Sequence, residues 1–198
     1  MSQPRPCLAA TAAERAKSLA GKGGQYVLGT GDYLGDDKPP WTVRAGMSGS
    51  DCAGFALSWC YKLPRHRPGY NRGSWSTVSD DINCNSAIED AEHTRDLFEL
   101  VNGVPRVGDL LTYPTFTLLA PDGTHKQFIG HVGIIIGMAN VLEWDPAEPQ
   151  YELLEVAQCK GPNGRSPAVV VTDGSVWAHH DTIWPRPAHR TRLLRARL

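Results

Sequence analysis

Apolar positions at helical spacing open the chain. In AATAAERAKSL (Ala9–Leu19), taken with Leu8, residues Leu8, Ala12, Ala16 and Leu19 fall roughly on one face, and Gly21, Gly23 and Gly24 follow as a stop. This spacing predicts a first helix. From Gln25 to Gly49 the pattern dissolves into Gly, Asp and Pro, and the tandem Pro39 and Pro40 forbid a helix, so a long loop is expected. Periodicity returns in CAGFALSWCYKL, where Phe55, Trp59 and Leu63 recur at helical intervals with Ala53, Ala56 and Leu57 beside them. That stretch reads as a buried helix, capped by Ser50 or Asp51, with Cys52 in its first turn and Pro64 and Pro68 ending it. Further on, SDDINCNSAIEDAEHTRDLFELV predicts one or two more helices with Ile82, Ile88, Leu97, Phe98 and Val101 as apolar positions.

At Val104 the period changes. VPRVGDLLTYPTF, IGHVGIIIGM, YELLEVAQ, AVVVTDG and a TIW segment are short β-branched or aromatic runs separated by Gly, Pro, Asn and Asp, which is strand and turn chemistry. Helices first and strands after predict an α+β fold, with N-terminal helices packed on a C-terminal antiparallel, barrel-like sheet. The Arg-rich end, RPAHRTRLLRARL, reads either as a terminal strand with a basic tail or as a solvated, partner-binding tail.

Composition narrows the class. A chain of 198 residues without an internal repeat or a linker between two cores is expected to form one domain, 1–198. Lys plus Arg number 20 against 21 Asp plus Glu, so no global basic field argues for a nucleic-acid partner. No run of about 18 apolar residues could span a bilayer, and MSQPRPCLAATAAERAKS has no apolar segment behind a basic start; neither a membrane partner nor a signal peptide is expected. Synthesis in the cytoplasm, with release by lysis or a non-Sec route, is the matching expectation. The five cysteines are an odd number without CxxC pairs, which leaves at least one thiol free in a monomer.

Cys52 is where a thiolate would have work to do. A thiol in the first turn of a buried helix meets the partial positive charge of the helix end, and the unpaired N–H groups there can stabilise an oxyanion beside the sulfur. A thiol nucleophile needs a base, and His131, opening the run HVGIIIG, is the strongest of seven histidines. A histidine bordering an apolar strand also serves as a structural residue, and local pattern alone leaves both readings open.

GQYVLGTGDY, SGSDCAGFALSWCYKLP, VPRVGDLLTYP and GHVGIIIG, in this order, resemble the successive blocks of the NlpC/P60 family of papain-like cysteine peptidases, over roughly residues 12 to 172. The resemblance implies a papain-like fold with Cys52 as nucleophile and His131 as general base and acid. Its third catalytic member is a polar residue on the strand after the histidine; Glu155 stands at the family distance ahead of Gly161 and is preferred, with Gln158 as the alternative. These two have opposite strand parity, so a regular strand lets one of them share the face of His131. Tyr26 matches the tyrosine of the first block and is expected to turn its hydroxyl into the site. Asp51 matches the acidic position before the cysteine, either as a helix cap or as a receptor for a substrate amine. Ala53 departs from the usual serine and Leu28 from the usual aromatic, while the stretches 29–49 and 65–102 exceed a minimal family domain.

The implied activity is that of a cysteine endopeptidase cutting peptidoglycan stem peptides at a D-γ-glutamyl to diamino-acid amide bond, without cofactor or metal. Alternatives are an amidase, acyltransferase or toxin acting on another substrate, or a structural module that does not turn over. Cys60 reads as core, and Cys7, Cys84 and Cys159 have no motif around them. His179 and His180, taken as neighbours on a strand, would point to opposite faces and make a poor metal site. Nothing in the pattern sets an oligomeric state.

Overall fold

The computed structural model describes residues 8–35, 37–42, 49–66, 80–120, 122–182 and 190–197. Cys7, Pro68 and the Ile183–Trp184 part of the expected last strand lie outside them. The core is a mixed α/β arrangement around a six-stranded sheet of order β1-β8-β2-β5-β6-β7, with every strand pairing antiparallel. Its strands are β1 (Phe98–Leu100), β2 (Leu110–Tyr113), β5 (His131–Met138), β6 (Leu154–Cys159), β7 (Val169–Asp173) and β8 (Arg192–Ala196), and β3 (Phe116–Leu119) with β4 (His125–Phe128) form a separate hairpin. The sheet is open. β1 and β7 end it without pairing to each other, so the expected barrel-like closure does not occur.

Both faces of the sheet are covered, and that explains why β5 is written as an almost unbroken apolar run. On one face Val132, Ile134 and Ile136 of β5 join Leu110, Ala157, Cys159, Val169 and Leu194 against helix α1 (Ala9–Leu19) and the wide-turned helix Gly54–Cys60. Ala12, Ala13 and Ala16 of α1 are buried without remainder, small side chains that bring the helix close to the sheet, whereas Leu8 stays 59% exposed. On the other face Ile135, Leu111, Leu154 and Val156 pack with Trp177. Trp177 belongs to a helix, α3 (Ser175–Thr182). This helix, rather than a strand, carries His179 and His180, so the reasoning from alternating strand faces does not apply to them.

The helical stretch expected over Ile82 to Val101 is cut short. Helix α2 (Cys84–Glu89) passes into a wide turn, Asp90–Thr94, and Arg95 adopts a left-handed φ of 53° that ends it. The buried Asp90 carboxylate then accepts the backbone N–H groups of Asp96, Leu97 and Phe98 at 2.7, 2.8 and 2.9 Å and the Thr94 hydroxyl, which redirects the chain into β1. The Arg-rich terminus is a strand in the interior of the sheet, between β1 and β2. Arg195 forks onto both oxygens of Asp109, at 2.9 and 2.7 Å.

Candidate functional site

Cys52 opens a helical turn whose start is fixed by Asp51. Asp51 accepts the N–H of Gly54, three residues on, through Oδ1 at 2.7 Å, the geometry of an N-cap. The helix can seat here because residue 54 lacks a side chain. A Cβ on Gly54 would fall 2.4 Å from the Thr30 carbonyl oxygen and 2.6 Å from that of Gly31. Glycine in the DCAGF run therefore serves close packing of the helix start on the loop that leads from Tyr26.

The sheet delivers the second member. His131 begins β5, and the Cys52 sulfur lies 3.8 Å from the carbonyl oxygen of the preceding Gly130. Nε2 of His131 sits 2.7 Å from Oε1 of Gln158. The orientation of that amide follows from its other partner. Thr172 gives its single hydroxyl proton to the Asp173 carbonyl at 2.8 Å, so its oxygen receives the Gln158 NH2, leaving Oε1 as the acceptor that faces the imidazole. Nε2 thus carries a proton, and Nδ1 is the nitrogen left for Cys52, whose thiol acts on the His131 pKa. Trp177 stacks on the ring, centroids 5.4 Å apart and planes at 26°. Room for the indole comes from Gly133, on the face of His131, where a Cβ would meet the Trp177 ring at 3.0 Å.

Charge separation across this pair is favoured. A hydrogen bond from the Cys84 thiol lowers the Cys52 pKa most, against burial, and His131 adds both charge and a hydrogen bond. Burial opposes a charged His131, but the thiolate beside it and the bonds to Cys52 and Gln158 outweigh that and raise its pKa. Both directions favour a thiolate–imidazolium pair, and both members are buried.

Glu155 does not reach this site. It lies on β6 opposite Gly137, exposed, with its carboxylate folded over that glycine, on the face opposite to Gln158. The preference for Glu155 is corrected by register: Gly133 of β5 pairs with Gln158, which puts Gln158 on the side of His131. A β-bulge between Ile135 and Gly137 separates Glu155 from that alignment.

Asp51 is likewise not a vacant anion. Oδ1 accepts Gly54 N–H and Arg65 Nη1 at 2.7 and 3.0 Å; Oδ2 accepts Gly29 N–H and Arg65 Nη2, each at 2.9 Å. These four donors fill the acceptor sites of a carboxylate, so the reading of Asp51 as receptor for a substrate amine gives way to its reading as a cap. Arg65, which the motifs did not single out, holds the position an incoming ammonium would need. The Asp51 charge keeps Arg65 protonated despite burial, raising its pKa.

Tyr26 is brought to the site by a parallel bridge to Ser50. Its hydroxyl pKa is pushed up by burial first, then by the charges of Cys52 and Asp51, which places it within their field. Beside Cys52 runs a groove of about 250 Å³, walled by Leu28, Ala53, Asn83, Asn85, Thr115 and Ile129 together with Gly29, Asp51, Arg65, Cys84 and Gly130. Two larger hollows, of about 310 and 770 Å³, share Leu100 to Gly103 and have neither cysteine nor histidine in their walls. Among the described residues no group of three or more His, Cys, Asp or Glu side chains is placed to hold a metal ion, and no helix is long and apolar enough to cross a membrane. Comparison with protein-family models, with curated protein sequences and with solved structures finds no match.

Proposed function

We propose that the chain is a papain-like cysteine amidohydrolase of the NlpC/P60 type, and that its substrates are peptidoglycan stem peptides cut at the D-γ-glutamyl to diamino-acid amide. The observation that carries the chemistry is the series His131–Gln158–Thr172 beside Cys52, with Nε2 of His131 held at 2.7 Å by Gln158 and Nδ1 left for the sulfur. A Cys52 thiolate attacks the amide carbon, and the oxyanion forms against the Cys52 N–H at the helix start, with the Tyr26 hydroxyl nearby. His131, as imidazolium, gives its Nδ1 proton to the departing amine. As neutral imidazole it then takes a proton from water, whose oxygen attacks the thioester carbon and releases the acid and the Cys52 thiolate beside the re-formed imidazolium. Gln158 supports this as a neutral acceptor that orients the ring without adding a charge.

The filled Asp51 favours a second reading of the same chemistry. With Arg65 in the place of a ligand ammonium, an acyl substrate lacking a free amine fits the groove better than a peptide anchored by its N-terminus. An amide outside the cell wall meets that description as well as an internal wall peptide does. Incubation of the purified protein with muropeptides and with intact sacculi, followed by mass spectrometry, is expected to release new amine and carboxyl termini. Cys52→Ala should abolish the release. Cleavage that persists in that variant overturns the assignment of the nucleophile, and the absence of cleavage by a wild-type protein whose Cys52 alkylates readily moves the substrate elsewhere.

A further inference from the structure

The Cys52 sulfur has a second thiol beside it that the relay does not need for proton transfer. Cys84 is the first residue of α2 and is held there by a reciprocal cap: the Asn83 side chain accepts Ser86 N–H at 3.1 Å, and Ser86 Oγ accepts Asn83 N–H at 2.8 Å. Each thiol is the leading influence on the other's pKa, lowering that of Cys52 and raising that of Cys84. Both cysteines abut Gly130: the Cys52 sulfur is 3.8 Å from its carbonyl oxygen, and a Cβ placed on Gly130 would lie 3.1 Å from the Cys84 Cβ. Both line the 250 Å³ groove, whereas Cys60 and Cys159 do not. Cys159 turns instead to the Ser50 carbonyl, 3.3 Å away.

We infer that Cys84 is the resolving thiol of Cys52, so that a peroxide entering the groove converts the pair into a Cys52–Cys84 disulfide. In the first step the Cys52 thiolate attacks one oxygen of hydrogen peroxide; the O–O bond breaks, Cys52 becomes a sulfenic acid and water leaves once a proton is taken up. In the second, the Cys84 sulfur attacks the sulfenic sulfur, and the Cys84 proton departs with the hydroxyl as water. Two thiols and one peroxide give one disulfide and two waters, with both electrons drawn from the sulfurs. In the resting pair Cys84 is the protonated member, its pKa held above the ordinary thiol value by hydrogen bonding to Cys52 and then by burial; oxidation of Cys52 removes that thiolate, so Cys84 can give its proton to the leaving hydroxyl as its sulfur attacks. The disulfide stops at a reversible oxidation level and shields the nucleophile from sulfinic and sulfonic acids.

The test is a covalent map of the full chain and uses no substrate, so it stands apart from the proposed activity. Protein treated with hydrogen peroxide, quenched with N-ethylmaleimide under denaturing conditions and digested without reduction should yield a peptide pair joining Cys52 to Cys84. Native-state alkylation of Cys52 should vanish with the appearance of that pair and return with dithiothreitol. Recovery of Cys52 as sulfinic or sulfonic acid with Cys84 still alkylatable overturns the inference, as does a linkage from Cys52 to any other cysteine. In Cys84→Ser, or Cys84→Ala if serine disturbs folding, Cys52 should pass on to the higher acids at peroxide doses that leave wild type at the disulfide. Equal overoxidation in wild type and variant refutes it without reference to stability.

Discussion

Replacing Gln158 by leucine removes the acceptor that faces Nε2 of His131 at 2.7 Å, and keeps the side chain near its original volume. The consequence can be worked out from the charge states. Gln158 accepts from the ring in both forms, but a hydrogen bond from a charged donor is worth about 1.5–3 kcal/mol and one from a neutral donor about 0.5–1.5. The difference, about 1–1.5 kcal/mol, is what Gln158 contributes to the imidazolium over the imidazole, and at 1.36 kcal/mol per unit it corresponds to about one pH unit. In Gln158→Leu the thiolate–imidazolium pair is therefore expected to lose this amount relative to the neutral thiol–imidazole pair: the His131 pKa falls by roughly one unit, while the acid-side ionisation of Cys52, which has an imidazolium beside it before and after, stays in place. The folded-state values set the same window for folding. Cys52, depressed, contributes stability present above its unfolded pKa and lost as pH falls through its folded value. His131, raised, contributes stability present below its unfolded pKa and lost as pH rises through its folded value. The assay is the rate of Cys52 carbamidomethylation by iodoacetamide, followed by mass spectrometry from acid to alkaline pH, with circular dichroism to establish folding. Wild type should react with a midpoint below the ordinary thiol range, and in Gln158→Leu the second, alkaline inflection, where the thiolate loses its imidazolium partner, should fall by about one unit. Glu155→Gln should leave the profile in place. Superimposable wild-type and Gln158→Leu profiles in folded protein, or a shift in Glu155→Gln, would refute the reasoning.

Arg65→Met strands the Asp51 carboxylate, which is buried, with its two backbone donors. Breaking a buried pair costs about 3–5 kcal/mol, and partial exposure of Arg65 puts the expected loss near about 3, read as a drop in urea midpoint at unchanged slope. Adding Asp51→Asn should recover part of it, and a loss below about 1 kcal/mol would show the pair to be incidental. Asp90→Asn keeps one of two oxygens that each take two hydrogen bonds, leaving two donors unmet at about 1–3 kcal/mol each; thermal melting should show a loss of at least about 2 kcal/mol, and an unshifted melt would contradict the account of the turn into β1.

Much of the frame is written locally and was legible for that reason. α1 spans Ala9–Leu19 as its periodicity predicts, the cap and first turn at Asp51 and Cys52 follow from residue type, and the apolar run after His131 is a strand. What the sequence conceals are long-range facts. Phe98 sits in a strand because Asp90, eight positions earlier, gathers its N–H, a bond that no period reveals. Glu155 and Gln158 are equally polar and close in sequence; the register of β6 on β5, with Gln158 opposite Gly133, decides between them. The final arginines form a central strand because Asp109 and Glu92 meet them, and charge counting alone cannot place a basic stretch inside a sheet. Cys84 has no motif because its meaning lies in Cys52 and Gly130, brought to it by the fold.

Asp51 shows how one residue type satisfies two demands that conflict. A carboxylate is the right cap for the helix that starts at Cys52, yet its charge opposes the thiolate next to it, and it acts in that direction here. Arg65 resolves the conflict: its guanidinium pairs both Asp51 oxygens and stands in the field of the Cys52 sulfur as a cation. The cap keeps its geometry while its charge is offset in part. A chain that leaves the corresponding acid free to take a ligand ammonium would gain its cation, and with it a more stable thiolate, when that ligand arrives. Here the cation is built in. A Cys52 held towards the thiolate before any ligand binds fits the proposed groove, which does not ask its ligand for an amine, and the proposed answer of Cys84 to an oxidant.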